Sequence, residues 1–344
     1  MSMPRLVAAP DKFKGTASAA EVAAAVGRAA ATVGWQATLV PVSDGGEGLL
    51  EAVGGDVRVT RVTGPDGRPV DAEWCLLRGS PSTGVVEMAR AAGLTLAGGA
   101  RGNDPERATT AGVGQLVAAA VAAGAERVVV GCGGSATTDG GRGAVEALGP
   151  DAVAGVELVV ACDVSTAFLD AARVFGPQKG ARPDQVARLA GRLAQTAADY
   201  RERFGVDVTS LAGAGAAGGL AGGLAALGGR LVPGFELVAD LVGLPGALEP
   251  LPDLVVTGEG RLDGPSLEGK VVGGVLDLVA GRCPVLVVAG QADPAVARRL
   301  AAERPGTTVA VLAEAVGLAE AMAGVGRAVE QAVVRALAAR PPVT

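Results

Sequence analysis

Short apolar runs alternate with stretches of helical spacing at both ends of the chain. Leu6-Val7-Ala8-Ala9 is apolar and meets Pro10 and Asp11 at once, an Ala/Val run follows Ser18, and a second apolar run lies over 36–42. The pattern predicts a strand at 5–9, a loop at 10–17, a helix at 18–33 and a strand at 36–42, a βαβ opening. Ser18 followed three residues later by Glu21 is the capping-box signature of a helix start. A polar loop over 43–48 then leads into a helix at 49–53.

From Asp56 the texture changes. Val57, Val59 and Val62, then 70–77 and 84–88, predict short strands with turns at 64–67 and 79–83. A helix at 110–123, a strand at 127–130, a Gly-rich loop, a helix at 143–148 and a strand at 157–161 follow, with helical texture at 183–203 and 215–227. Beyond Pro245 alternation returns: strands at 253–257, 285–289 and 308–312, and helices at 273–280, 294–302 and 318–339. Two strands from the start and three from the end predict one five-stranded parallel sheet, with the middle, 58–245, inserted between them. The expected fold class is α/β with two α/β domains. Loops at the carboxyl ends of such strands line the ligand crevice. The tail 340–344 is expected to fray.

Composition narrows the function. The 344 residues carry a formal charge of -6 and only 2% aromatics, which argues against a nucleic-acid or anionic-membrane partner. The stretch 211–229 is long enough to span a bilayer but is mostly Gly and Ala, so no membrane segment is expected. The start has no signal-peptide pattern. Cys75, Cys132, Cys162 and Cys283 lie far apart without a CxxC pair, which suggests core thiols in a reducing, cytoplasmic compartment. With no histidine at all, His-based triads and the usual zinc sites are excluded, and acid-base work falls to carboxylates or lysines.

Of the 30 basic residues, 26 are Arg and only four are Lys: Lys12, Lys14, Lys179 and Lys270, each close to a glycine. A compact ammonium beside flexible backbone suits phosphate. The loop Gly131-Cys-Gly-Gly-Ser-Ala-Thr-Thr-Asp-Gly-Gly141 follows a strand and precedes a helix, so phosphate can approach its backbone N–H groups, with Ser135, Thr137 and Thr138 adding hydroxyls. Asp139 within it suggests Mg²⁺, although a tight turn would also use these residues. Neither 264–271 nor 213–218 makes a true P-loop or dinucleotide fingerprint. Acids after strands, namely Asp11, Asp44, Glu47, Asp163, Glu259 and Asp263, can bind Mg²⁺ or accept a hydroxyl proton, and each is also a common turn or cap former. Lysines, Gly-rich loops and oxygen-ligand acids without His together describe phosphoryl transfer.

The ordered blocks APDKFKG (9–15), SDGGEG (43–48), EMARAAGL (87–94), GGSATTDGG (133–141), ACDV (161–164), FGPQKGA (175–181), GAGAAGGL (213–220) and TGEGRLD (257–263) resemble the glycerate kinase family of the glycerate 2-kinase type. That resemblance implies a flavodoxin-like parallel-sheet domain, 1–57 and 246–344, interrupted by an inserted mixed α/β domain, 58–245, with the active site in the cleft between them. It also implies ATP-dependent phosphorylation of D-glycerate, favouring the 2-hydroxyl over the 3-hydroxyl. The chain departs from the family pattern at Ala111, Gln115, Pro265 and Val272, which bears on substrate choice.

The resulting expectation is a kinase using ATP and Mg²⁺ on a small hydroxy acid. Asp11, Lys14 and the backbone of Gly133, Gly134 and Ser135 would bind ATP, and Asp139, Glu259 and Asp263 would bind Mg²⁺. Lys179 and Lys270 would neutralise the transferred group or the substrate carboxylate, with Asp44 or Asp163 as general base. A kinase for another sugar acid and an inactive nucleotide or metabolite sensor are the alternatives, and oligomeric state is left open.

Overall fold

The computed structural model describes residues 3–339, so the tail 340–344 lies outside the described residues. Its strands are β1 (Arg5–Ala8), β2 (Gln36–Leu39), β3 (Asp56–Thr63), β4 (Pro69–Leu77), β5 (Thr83–Glu87), β6 (Arg127–Gly131), β7 (Glu157–Ala161), β8 (Arg230–Val232), β9 (Leu254–Leu262), β10 (Val285–Ala292) and β11 (Thr307–Val311). The chain divides into two compact units: Met1–Asp44 with Glu51–Val53 and Phe235–Thr344, and Gly45–Leu50 with Gly54–Gly234. Residues 235–245, placed by the sequence in the insertion, group with the first unit, where the Phe235 ring lies so close to Gly274 that a Cβ there would overlap it.

The first unit holds one parallel sheet in the order β11-β10-β9-β1-β2, the two-plus-three arrangement expected from the pattern. Counting its strands alone, the order is 2-1-3-4-5, the flavodoxin-like winding whose ligand crevice opens at the carboxyl ends of the first and third strands, here β1 and β9. The central strands read as unbroken apolar runs because both faces are covered. On one face Leu6, Leu254, Val256, Leu286 and Val288 pack on Val22, Val26, Val329 and Val333. Ser18 caps the helix Ala19–Thr32 with its hydroxyl on the Glu21 N–H, and Glu21 returns its carboxylate to the Ser18 N–H at 2.8 Å.

Three sequence expectations change here. β9 and β10 run several residues past their apolar cores, pairing Arg261 with Gln291, since backbone pairing tolerates polar side chains once the register is set. The helix expected over 318–339 is two, Leu318–Ala323 and Val325–Ala338, broken at Gly324. The helical texture at 215–227 resolves into a turn, Ala216–Gly219, and a helix, Leu220–Ala226. Gly218 sits there at φ +71° with the Thr137 carbonyl against its missing side chain.

The second unit is a mixed sheet, β3-β4-β5-β6-β7-β8, antiparallel across β3, β4 and β5 and parallel from β5 to β8. β8 escaped the sequence reading because three residues carry no period. Val86, Val128, Val130 and Val160 pack against Val113, Leu116, Leu220 and Leu224 on one face of this sheet. Phe168, Leu189, Leu193 and Tyr200 make a second cluster. No described helix is long and apolar enough to cross a membrane.

Gly258 lies in β9 where a Cβ would overlap the Val288 carbonyl of β10. Gly258→Ala is therefore expected to destabilise the first unit by about 2 kcal/mol or more, the range for an overpacked interior. Calorimetry would show it as a downshifted transition, and an unchanged melt would mean that the two strands separate there at no cost.

Candidate active site

The carboxyl ends of β5, β6 and β7 gather most of the ordered sequence blocks in the second unit. Residues 45–48 pack backbone to backbone on the loop after β6: a Cβ on Gly133 would stand 2.6 Å from the Gly46 Cα, and one on Gly45 would stand 2.9 Å from both Ala161 Cβ and Gly234 Cα. Only glycine allows two loops to approach this closely. The segment 87–94 backs the same loop, with Leu94 N–H donating to the Gly134 carbonyl at 2.7 Å and Ala136 N–H to the Ala92 carbonyl at 2.9 Å. Gly134 itself is exposed at φ +66°.

Polar side chains then grip the loop. Lys179, 3% exposed, donates to Ser135 Oγ at 2.8 Å and to the Thr137 carbonyl at 2.6 Å, with the Phe175 ring 5.9 Å away. Burial drives its pKa down to about 7, with nearby Asp139 and Cys132 opposing the fall. Asp139 accepts from Thr110 N–H at 2.9 Å, Thr110 Oγ1 at 2.7 Å, Gly141 N–H at 3.0 Å and Gly143 N–H at 3.2 Å. Burial still pushes its pKa up against those bonds. Three of these bonds fall on Oδ2 and one on Oδ1, so Asp139 braces the turn from within the loop.

Other braces escaped the sequence reading. Asn103 donates to the carbonyls of Ala136 and Lys179, and Tyr200 donates to the Gly140 carbonyl at 3.0 Å. They are the only Asn and the only Tyr of the chain, a rarity that could have flagged them. Glu87, 2% exposed at the end of β5, accepts from Gly48 N–H at 3.1 Å and Leu50 N–H at 3.4 Å. Thr138 Oγ1 is buried with no hydrogen-bond partner, the kind of orphan that gathers at functional sites. Asp163 is exposed after β7 and accepts from Gly234 N–H at 2.7 Å. Gln115, one of the departures from the family pattern, uses its amide on Thr63 of β3 and so serves the sheet.

In the first unit the acids sit at the β1/β9 switch point. Asp11 accepts from Lys12 N–H at 2.7 Å, and Lys12 Nζ lies 3.8 Å from it. Lys270 Nζ lies 3.6 Å from Asp44, and Lys14 is exposed on the same loop as Asp11. Burial, then the Asp44 charge, pushes Asp11 up to about 6 while Lys12 and Lys270 oppose it. Burial, with Asp11 and Asp263 adding repulsion, pushes Glu259 up to about 7, although Ser266 and Lys270 pull it down. Ser266 donates to Asp263 at 3.2 Å and ties the turn after β9.

Among the described residues no group of three or more Cys, Asp or Glu side chains is placed to hold a metal ion. Glu259 Oε1 is nevertheless buried without a partner. Mg²⁺ usually keeps several waters and takes only one or two protein carboxylates beside phosphate oxygens. Glu259 with Asp11 or Asp263 meets that smaller demand.

A doubly wound sheet with acids and lysines at its switch point, and a glycine-rich loop braced from behind, define an α/β enzyme equipped to handle phosphoryl groups. A family model described as the glycerate kinase family matches residues 6–154 and 150–340. The chain belongs to the glycerate kinase family and is a kinase. It is 37% identical over 326 residues to the glycerate 2-kinase of Escherichia coli K12, covering 83% of this chain and 85% of that protein. An uncharacterised Mycobacterium bovis protein is 44% identical over 311 residues, covering 83% and 79%. The crystal structure of a candidate glycerate kinase 2 from Salmonella typhimurium LT2 superposes with a TM-score of 0.79 at 31% identity, covering 98% of this chain and 99% of that one.

The folded chain keeps the Glu259 proton up to about pH 7, whereas an ordinary glutamate loses it near 4.5. Between those values the folded state binds more protons, so this group's contribution falls as pH rises through the window. Glu259→Gln is expected to melt above the wild type at pH 8 and level with it at pH 4.5. Parallel melting curves at both pH values would show that Glu259 is not strained by burial.

Proposed function

We propose that the protein transfers the γ-phosphoryl group of ATP to D-glycerate with Mg²⁺, giving 2-phospho-D-glycerate. The observation that carries the reading is the switch-point cluster of the first unit, where Lys12 lies by Asp11 and Lys270 by Asp44, where the charges of Asp11, Asp263 and Lys270 act on Glu259, and where Glu259 Oε1 has no protein partner. Acids packed this closely repel one another unless a cation joins them, and phosphoryl transfer needs such a cation. The 37% identity to a protein named glycerate 2-kinase supports the substrate and the position.

Glu259 with Asp11 or Asp263 would hold Mg²⁺, which when bound offsets the negative charge of the phosphates. Lys14, exposed on the loop after β1, supplies an ammonium for phosphate oxygens, and Lys270 neutralises a carboxylate or phosphoryl oxygen beside Asp44. In the second unit the backbone of Gly133, Gly134 and Ser135 offers N–H donors without side-chain hindrance. Asp44 and Asp163 are the carboxylates available to accept the acceptor's proton. The four free cysteines fit a reducing, cytoplasmic setting.

The test is ADP release from Mg-ATP with D-glycerate, L-glycerate, glycolate or no acceptor, the product being passed to enolase without a mutase. Release that depends on D-glycerate, with product consumed at once by enolase, is the expected result. Turnover only with another hydroxy acid would move the assignment to that acid, and no acceptor-dependent turnover would favour a sensor. Lys14→Ala and Asp44→Ala are each expected to lower kcat about 100-fold or more with the melting temperature kept, as for loss of a charge-positioning or proton-transfer group. Near-wild-type turnover in either variant would remove that residue from the site.

A further inference from the structure

Lys179 is the one lysine of the four buried inside its unit, and its setting is unlike a structural ion pair. Its two hydrogen-bond partners are a hydroxyl and a carbonyl, Ser135 Oγ at 2.8 Å and the Thr137 oxygen at 2.6 Å, neither of them charged. An ammonium enclosed without a contacting carboxylate is costly, and the usual relief is loss of its proton. The charged and titratable groups around it are Asp139, which spends its oxygens on Thr110, Gly141 and Gly143, and the Cys132 thiol, pushed up by burial. The Phe175 ring closes another side, and Asn103 holds the Lys179 carbonyl, fixing the backbone from which the amine extends.

Ser135 stands at the other end of this contact. It follows exposed Gly134 in the glycine-rich loop, is 8% exposed, and is pinned by the bridge between its backbone and Gly93. A serine hydroxyl within hydrogen-bond distance of a desolvated lysine amine is the nucleophile–base arrangement of Ser-Lys enzymes. In a chain without histidine it is also a direct route for moving a hydroxyl proton near neutral pH.

We propose that Ser135 and Lys179, in place of Asp44 or Asp163, form the proton-accepting pair for the acceptor hydroxyl, a role that rests on the kinase reading of the glycine-rich loop given above. The neutral Lys179 amine takes the Ser135 Oγ proton as Ser135 Oγ takes the proton of the acceptor hydroxyl. The acceptor oxygen forms its bond to the γ-phosphorus while the bond from that phosphorus to the β,γ-bridging oxygen breaks, and ADP leaves with the electron pair. Lys179 ends as an ammonium donating to Ser135 Oγ and the Thr137 carbonyl, the contacts seen in the structure, and returns its proton to water after product release. The desolvation that brings Lys179 down to about 7 lets both forms of the amine exist at working pH.

The test combines kinetics with a titration that does not depend on turnover. Ser135→Ala is expected to lower kcat by about 10²–10⁴, the range for loss of a general acid or base, with KM for ATP within a factor of about three, and Ser135→Thr should recover much of the rate. Lys179→Arg keeps a hydrogen-bond donor but cannot give up its proton, so it should be as slow as Ser135→Ala and lose the acidic limb of the kcat profile near pH 7. With only four lysines, ¹³Cε-lysine labelling of the wild type resolves Lys179 by NMR, and its resonance should titrate near 7. Full kcat in Ser135→Ala, or a Lys179 resonance that stays charged past pH 9, overturns the pair, as does a KM effect with kcat kept, which would make Lys179 a brace alone. If Lys179→Arg does not fold, the Ser135 variants and the wild-type titration decide. Wild-type inactivity towards every acceptor overturns the kinase reading and this role with it, whereas an active wild type with an undiminished Ser135→Ala overturns this role alone.

Discussion

Close approach of two backbones that leave no room for a Cβ governs the second unit. Gly45 and Gly46 lie against Gly131, Gly133 and Ala161, and that contact brings the loop after β6 into its turn. Because those backbone faces carry no side chains, the polar side chains that hold the loop must reach it from behind. Asn103, Thr110, Lys179 and Tyr200 do so from outside the loop, Thr110 through Asp139 within it. The outward face is thereby left with small residues and exposed Gly134, the surface a phosphoryl group needs.

The first unit solves a different electrostatic problem. Its winding order reverses between β1 and β9, and the loops there diverge enough to carry charged residues above a sheet that is apolar on both faces. Burial raises the pKa values of both Asp11 and Glu259, with Asp44 adding to the first and Asp11 and Asp263 to the second, while Lys12 and Lys270 offset only part of the repulsion. Such strain is tolerated in a fold when a ligand of opposite charge relieves it. The Arg-for-Lys bias has a counterpart in the fold: arginines make the surface pairs, such as Arg142 with Glu146 and Arg299 with Glu303, while Lys270 lies by Asp44 and Lys179 is buried against Ser135.

Much of the fold was legible because its signals are local. The capping box at Ser18, the apolar runs of β1, β9 and β10, and the turn glycines need only neighbours in sequence to act, so periodicity carried the parallel sheet and its split across the chain. Where a contact from far along the chain intervenes, the local pattern misleads. The run 215–227 has helical texture, but the Thr137 carbonyl forces Gly218 out of helical geometry, and Phe235 draws the segment after it onto Gly274.

The same division holds at the candidate site. The sequence by itself determined the chemical inventory: no histidine, four lysines beside glycines, acids after strands and a glycine-rich loop before a helix, which together fit phosphoryl transfer. Tertiary structure alone decided how each group is employed. Asp139, a metal candidate by its loop, also braces the turn, because four donors converge on it from 110 to 143. Lys179 looked like a phosphate clamp and is buried against Ser135, 44 residues away. Desolvation and hydrogen-bond geometry depend on what long-range packing puts beside a residue, and those two quantities set whether a carboxylate or an amine is charged, neutral or already spent.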